Sequence, residues 1–173
     1  MGNGQAVVAV VRPGEGRRVG LGSIDVVFKL AGAQTGGRLS IVEHPFPVGA
    51  IVPPHTHTRE DEYSIVLEGE IGFRSGDEEV VLGAGGYVVK PRGEVHTMWN
   101  AGDTPARMIE IIAPAGLEDY FSHLAALIDP GPPETSRIAQ LSSDYGISYA
   151  QPGWLPELIS RYRLNPPPGP PPD

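Results

Sequence analysis

Three histidines and one glutamate, His55, His57, Glu62 and His96, are the residues of this chain whose types and spacing could do chemistry. Imidazole nitrogens with one carboxylate suit a divalent first-row transition metal. His55 and His57 stand two apart, so on an extended segment both side chains leave the same face. A bend through Thr58-Arg59-Glu60-Asp61 would return Glu62 to that face, and His96 must come from a neighbouring strand. Any one of these histidines alone would read as an ordinary surface or core residue. Three of only five histidines on one spaced pattern with a glutamate do not.

Glycine and proline fix that spacing. Gly49, five residues, His55-x-His57, four residues, Glu62, six residues and Gly69 make one block. Gly85, five residues, Pro91-x-Gly93, two residues, His96, three residues and Asn100 make a second. Pro53-Pro54 stiffens the entry to the His-x-His segment and limits its pairing. Glu68-Gly69-Glu70 sits between two alternating runs, Tyr63–Leu67 and Ile71–Phe73, where glycine supplies turn dihedrals. Pro91-Arg92-Gly93 signals a turn just before His96.

These ten fixed residues resemble the two signature motifs of the cupin superfamily, over about Gly49–Asn100. The fifteen residues from Glu70 to Ala84 are similar to the short gap of single-domain microbial members. A likeness to small quercetin-dioxygenase-like cupins runs on through Ala106–Leu127. The resemblance implies an all-β jelly-roll barrel with the metal inside, held by His55, His57, Glu62 and His96.

Composition agrees with one β-rich domain. At 173 residues the chain is long enough for a single core and too short to expect two. Twenty-three glycines and nineteen prolines argue for many short strands joined by turns. Net charge is −8 and the thirteen basic residues are scattered, which excludes a phosphate-tracking stripe and so nucleic-acid binding. There is no cysteine, hence no disulfide, thiolate site or thiol nucleophile. The polar Met1–Gln5 start and the short Ala6–Val11 run predict neither a signal sequence nor a membrane span, so a cytoplasmic protein is expected. No phosphate loop, dinucleotide fingerprint or Gly-x-Ser-x-Gly elbow occurs.

Strands are expected over Ala6–Val11, Ile24–Leu30, Arg38–Glu43, Ile51–Thr56, Tyr63–Leu67, Ile71–Arg74, Glu79–Leu82, Tyr87–Lys90, Val95–Asn100 and Arg107–Ile112. Beyond Pro114 the period turns helical: Leu117–Ile128, a helix capped by Thr135 that ends near Gly146, and Leu155–Tyr162. The expected organisation is therefore a barrel over 1–113, a helical extension over 114–165 and a disordered proline-rich tail over 166–173. Trp154, Leu155, Leu158, Ile159 and Tyr162 form an apolar stripe expected to pack on the barrel or on a partner subunit, and a homodimer through the C-terminal helices or sheet edges is expected.

Parity along the strands extends the site. With His96 inward, Met98 and Asn100 share its face while Thr97 and Trp99 face away. Ser64 and Val66 follow Glu62 inward, and Tyr87 is expected to line the pocket from its own strand. Glu110 is expected to point outward to solvent, His44 to be exposed near the rim, Glu60 and Asp61 to form a solvated turn, and His123 to have no role.

Such a site takes one divalent ion (iron, manganese, nickel, cobalt, copper or zinc), and on an octahedral ion two positions stay open for water, dioxygen or a small-molecule substrate. The resemblance implies an oxygenase acting on an aromatic or enol substrate, with Glu62 both ligand and proton acceptor. Two other readings stand beside it: a Lewis-acid isomerase or polyketide cyclase, and a small-molecule binder without turnover.

Overall fold

The computed structural model describes residues 8–129, 131 and 134–166. Along the chain run β1 (Arg18–Gly20), β2 (Asp25–Leu30), α1 (Gly32–Thr35), β3 (Ser40–Phe46), β4 (His55–His57), β5 (Asp61–Glu68), β6 (Glu70–Ser75) and β7 (Glu78–Gly83). They are followed by β8 (Tyr87–Lys90), β9 (His96–Asn100), β10 (Ala106–Ala113), α2 (Leu117–Ile128), α3 (Thr135–Asp144), β11 (Ile147–Tyr149) and α4 (Leu155–Tyr162). One sheet has the order β1-β2-β3-β10-β5-β8 and the other β11-β4-β9-β6-β7, and the pairings are antiparallel. The two sheets make the jelly-roll barrel. Among the described residues no helix is long and apolar enough to cross a membrane.

Alternation decides what enters the barrel. Ser40, Val42, His44 and Phe46 of β3 point inward, as do Glu62, Ser64 and Val66 of β5 and Ala106, Met108, Glu110 and Ile112 of β10. Register then aligns Glu62 with Lys90, Ser64 with Glu110, and Met108 with both Val66 and His44. A polar row thus crosses an otherwise apolar face. Below it, Phe46, Val66, Ile71, Phe73, Met98 and Met108 form a core cluster.

Two glycines are required by what lies against them. Gly69 has φ +69 in the β5–β6 turn, and a Cβ there would stand 2.8 Å from that of Ala106. Gly72 has no unusual φ, but the Trp99 indole lies where its Cβ would be. Trp99 is opposite Gly72 in register and faces away from His96, as parity predicts. It is nevertheless fully buried, because α4 covers it.

That packing shows where the apolar stripe of α4 lies. Leu155, Leu158 and Leu164 cluster with Ile51 and Trp99, and the Tyr162 ring lies 5.2 Å from Trp99. The stripe packs on the outside of its own barrel, with Trp154, Ile159 and Tyr162 only partly buried. Helix α2 has the expected bounds and buries Leu117, Tyr120, Phe121 and Leu124 against Val26, Val42 and Ile112. Helix α3 begins at Thr135, one residue earlier than a Thr135 cap allows, with Glu134 in the cap position.

Other differences have local causes. Val8–Val11 form no strand, while Ala6 and Val7 lie outside the described residues, as do 167–173 of the expected tail. Of the expected Ile51–Thr56 strand only His55 and Thr56 are strand, which runs on to His57; Ile51 makes an isolated bridge to Trp99, and the donor-less Pro53 and Pro54 interrupt the ladder. β1 and β11, three residues each, were too short for periodicity to reveal. β11 pairs with β4, so a strand from beyond Pro114 joins the sheet beside His55.

Replacing Gly72 by Ala should drive a methyl group into the Trp99 ring and destabilise the fold by about 1–3 kcal/mol, as overpacking typically does. Urea denaturation measures it. A midpoint unchanged from wild type would mean that Trp99 and α4 do not pack as described.

Candidate metal centre

Both sheets contribute to one buried cluster. His55 and His96 are direct cross-strand partners on β4 and β9, His57 follows two residues on, and Glu62 comes from β5 of the opposite sheet. Imidazole centroids stand 4.7 Å apart for His55 and His57, 4.5 Å for His55 and His96, and 5.1 Å for His57 and His96. One donor atom from each of the four residues lies within 4.8 Å of the others, and all four side chains are buried. Glu62 Oε1 is 3.5 Å from His57 Nε2, and its Oε2 is 3.3 Å from His96 Nε2.

The turns expected from glycine and proline tie the two sequence blocks together. The Gly93 N–H donates to the His57 carbonyl at 2.8 Å. Arg92 donates to Asp61 through its backbone N–H and through its guanidinium. Asp61 is therefore a clamp on the turn that delivers Glu62, not a merely solvated residue. Glu60 is also buried, contrary to expectation.

The donor set fits a transition ion by the hydrogen-bond pattern of its imidazoles. His55 Nδ1–H donates to the Pro53 carbonyl at 2.7 Å, and His96 Nδ1–H to the Glu94 carbonyl at 3.1 Å. A carbonyl only accepts, so Nδ1 carries a proton in both rings and Nε2 is the nitrogen turned to the cluster, the orientation found around bound metals. His96 Nε2 and both ring nitrogens of His57 are buried without a hydrogen-bond partner. Buried polar atoms are almost always paired, so a cluster of orphans points to a missing partner. A divalent cation supplies one.

Electrostatics favour the same state. Burial, then the neighbouring imidazoles, hold His55 well below the usual histidine range. Burial lowers His57 to about 4, against the pull of Glu62. Burial works against the Glu62 carboxylate, but Lys90 and then His57 outweigh it and keep its pKa well below the usual range. Neutral imidazoles and an ionised carboxylate are what coordination needs.

The sequence reading missed Lys90. It lies 0% exposed inside the barrel, with Nζ 2.8 Å from Glu62 Oε2 and donating to Glu110 Oε2 at 2.9 Å and Met98 Sδ at 3.4 Å. Ser64 Oγ donates to Glu110 Oε1 at 2.8 Å. Burial, followed by the Glu62 charge, pushes Glu110 up to about 7, despite Lys90. Glu110 thus points inward, correcting the outward expectation: β10 alternates strictly, and Lys90 makes its burial tolerable. His44 is likewise buried rather than exposed, its Nδ1–H donating to the Asp25 carbonyl at 3.2 Å and its ring 5.8 Å from Phe121. Burial lowers it to about 4.

Of the expected pocket residues, Ser64 belongs to this polar row, and Val66 and Met98 are packed core. Asn100 uses its amide on the backbone, donating to Phe46 and Thr104 and accepting from Gly102. It ties loops together. Tyr87 is 72% exposed and does not line the interior; β8 has the opposite parity, turning Val88 and Lys90 inward. That parity was legible from Lys90 standing opposite Glu62, had the pairing been known. A recess of about 910 Å³ on the outer face of the six-stranded sheet, lined by Val10, Lys29, Glu43 and Arg107 among others, contains none of the four cluster residues. His123 accepts or donates one hydrogen bond with Tyr145, far along the helices from the cluster in sequence.

Replacing His57 by Ala should lower metal occupancy by about tenfold or more, since loss of even an outer-sphere partner costs about 10–100-fold in affinity; His123→Ala should not. Elemental analysis of untagged protein reads this, and equal occupancy in the His57 variant would remove the assignment. His44 gives a pH prediction for metal-free protein. Its folded form is neutral with a pKa of about 4 against 6.5 when unfolded, so between those values the unfolded chain binds a proton that the folded chain refuses. Its stabilisation is complete above pH 6.5 and lost as pH falls towards 4, by about 3 kcal/mol. Urea titrations across that window should show a shallower decline for His44→Leu than for wild type; parallel curves would contradict the buried neutral His44.

Residues 43–112 match the family model described as the cupin domain. Germin-like protein subfamily T member 2 of Arabidopsis thaliana is 41% identical over 76 residues, which is 41% of this chain and 34% of that protein. Germin-like protein 5-1 of Oryza sativa subsp. japonica is 39% identical over 88 residues, covering 48% of this chain and 39% of its own length. The chain thus spans well under half the length of these curated relatives. Among solved structures, a predicted oxalate decarboxylase from Thermotoga maritima superposes with a TM-score of 0.57 at 24% identity, covering 61% of this chain and 99% of that one. The polyketide cyclase RemF from Streptomyces resistomycificus gives 0.54 at 20% identity over 62% of this chain and 80% of its own. These structures share the fold, and the relatives are germin-like rather than specifically quercetin-dioxygenase-like. Two sequence blocks and two facing sheets agree with the family model: residues 43–112 are similar to the cupin domain.

Proposed function

We propose that this protein is a metal-dependent cupin enzyme acting on a small aromatic or enol substrate, with dioxygen-dependent oxidation as its reaction. One observation carries the reading: four buried donor atoms from three imidazoles and a carboxylate lie within 4.8 Å of one another inside an apolar barrel. A redox-active divalent ion held there would supply an acidic site for a substrate oxygen and a redox partner for dioxygen. The chain's own residues set the conditions. His55 and His96 are fixed in one tautomer by backbone carbonyls, and Glu62 is kept ionised by Lys90. Packing of Val66, Met98 and Met108 closes the interior below the cluster. Entry is therefore from the His55 side, which at 8% is the most exposed of the four, against 1–2% for the others.

A second reading is favoured by Glu110. A carboxyl group pushed up to about 7 inside the same barrel is suited to give or take protons near neutrality. That suits isomerisation or cyclisation with the ion as a Lewis acid and no change of oxidation state.

The two readings separate by oxygen. Protein loaded in turn with iron, manganese, nickel, cobalt, copper and zinc is offered flavonols and small enols in an oxygen electrode. Uptake of dioxygen with a redox-active ion, lost in His57→Ala, is the expected result. Full turnover by the zinc form under nitrogen would replace it with the Lewis-acid reading. Tight binding without turnover under either atmosphere would make the protein a binder.

A further inference from the structure

Three hydroxyl groups run from α3 to the edge of the histidine cluster, and their hydrogen bonds leave one way to place the protons. Ser142 Oγ donates to the Ile138 carbonyl at 2.8 Å. A hydroxyl has one proton and a carbonyl only accepts, so that proton is spent. Tyr120 Oη lies 3.0 Å from Ser142 Oγ and must therefore donate to it. Tyr149 Oη lies 2.8 Å from Tyr120 Oη, and by the same count Tyr149 is the donor there. The phenol at the end of this relay keeps its lone pairs and has no proton left to offer.

That end stands beside the metal centre. β11 pairs with β4 so that Tyr149 is directly opposite His55, and paired residues on antiparallel strands project from one face. The two rings are 6.2 Å apart, and Tyr149 is half-buried on the side of His55, the most exposed of the four cluster residues. Burial, then Tyr120, hold the phenol above the usual tyrosine range, so it stays neutral. Other interior donors are spent as well. The three protons of Lys90 Nζ have Glu62, Glu110 and Met98 as partners. Ser64 Oγ donates to Glu110, and His44 Nδ1–H donates to the Asp25 carbonyl. A ligand entering beside His55 meets an acceptor, and it must bring the donor itself.

We propose that Tyr149 is a specificity-determining residue that accepts a hydrogen bond from a hydroxyl group of the ligand, and that Tyr120 and Ser142 hold it in that sense. This rests on the metal-dependent reading above and narrows its substrate class to an aromatic or enol compound with a second, un-ionised hydroxyl besides the oxygen offered to the metal. A carboxylate or ether oxygen in the same place sets lone pair against lone pair. Tyr149 acts on the ligand directly; Ser142 acts only through the direction of the relay.

The test is calorimetric titration of zinc-loaded protein with resorcinol and hydroquinone and with their monomethyl ethers, each of which lacks one donor. Wild type should bind one of these diols about 3–10-fold more tightly than its ether, the worth of one neutral hydrogen bond. Tyr149→Phe keeps the ring and removes the acceptor, so the diol should weaken by that factor and the ether should not. Ser142→Ala leaves both tyrosines in place but lets Tyr120 donate to Tyr149, whose own proton is then released. The ether should gain and the preference for the diol should vanish, a change that lost packing would not produce. Equal affinity of wild type for diol and ether overturns the proposal and leaves the metal-dependent reading standing. So does a diol preference that survives in Tyr149→Phe or Ser142→Ala, or equal weakening of both ligands in Tyr149→Phe. Wild type that binds neither diol nor ether overturns that reading and this proposal together.

Discussion

The Glu62 carboxylate is the constraint on which the interior depends. A negative charge with 2% exposure cannot be left without compensation, because the cost of taking it out of water is several kcal/mol or more. Two sources of compensation converge on it from opposite sheets: three imidazoles from β4 and β9, and one ammonium from β8. Burial holds His55 and His57 low, so neither of them offsets the charge, and Lys90 is the ammonium that does. A divalent ion among the imidazoles would change that balance towards positive. Glu110, pushed up to about 7 by burial and by the Glu62 charge, is the group placed to respond by ionising.

The fold delivers these groups through register rather than through proximity in sequence. Glu62, Lys90 and Glu110 are separated by tens of residues, yet antiparallel pairing of β5 with β8 and β10 puts them in one row. A slip of one residue in either pairing would turn Lys90 or Glu110 out to solvent and turn a neighbour in. Apolar inward residues guard against that slip: Val66 and Met108 on the same strands pack with Phe46 and Phe73, and they cannot be exposed without loss of core. The polar row is thus held in place by the apolar residues around it.

The clustering of His55, His57, Glu62 and His96 was legible in sequence because their placement is governed by local rules. A two-residue histidine spacing, a proline-stiffened entry and glycine turns act within about ten residues, and strand alternation does the rest. Bounds of α2 and α4 followed for the same reason, from helical period. Lys90 and Glu110 were not legible. Each reads as a solvated charge at the end or middle of an apolar run, and only the knowledge that β8 and β10 flank β5 shows that the two charges meet. Tyr87 was misplaced by the same ignorance: an aromatic on a short strand is an attractive pocket wall until pairing fixes the strand's parity. His44 escaped because a neutral, buried histidine leaves no mark in the sequence.

The C-terminal segment shows why an element's destination is harder to read than its existence. Helical period gives an apolar face but not what covers it. The α4 face turned out to meet Trp99, which parity had already pointed away from the metal and which needs a cover of its own. Gly72 beneath the indole lets the ring lie flat on β6, and α4 closes over it. On the other side, α2 brings Phe121 against His44, and Tyr120 hydrogen-bonds Tyr149 of β11, whose ring lies 6.2 Å from that of His55. The extension therefore does two unlike things: α4 seals the back of the histidine-bearing sheet, while α2 and β11 place aromatic rings beside its open edge. Changes in α4 would act on the metal centre only through the rigidity of β9. Changes in Tyr149 would act on it from the side at which His55 is exposed.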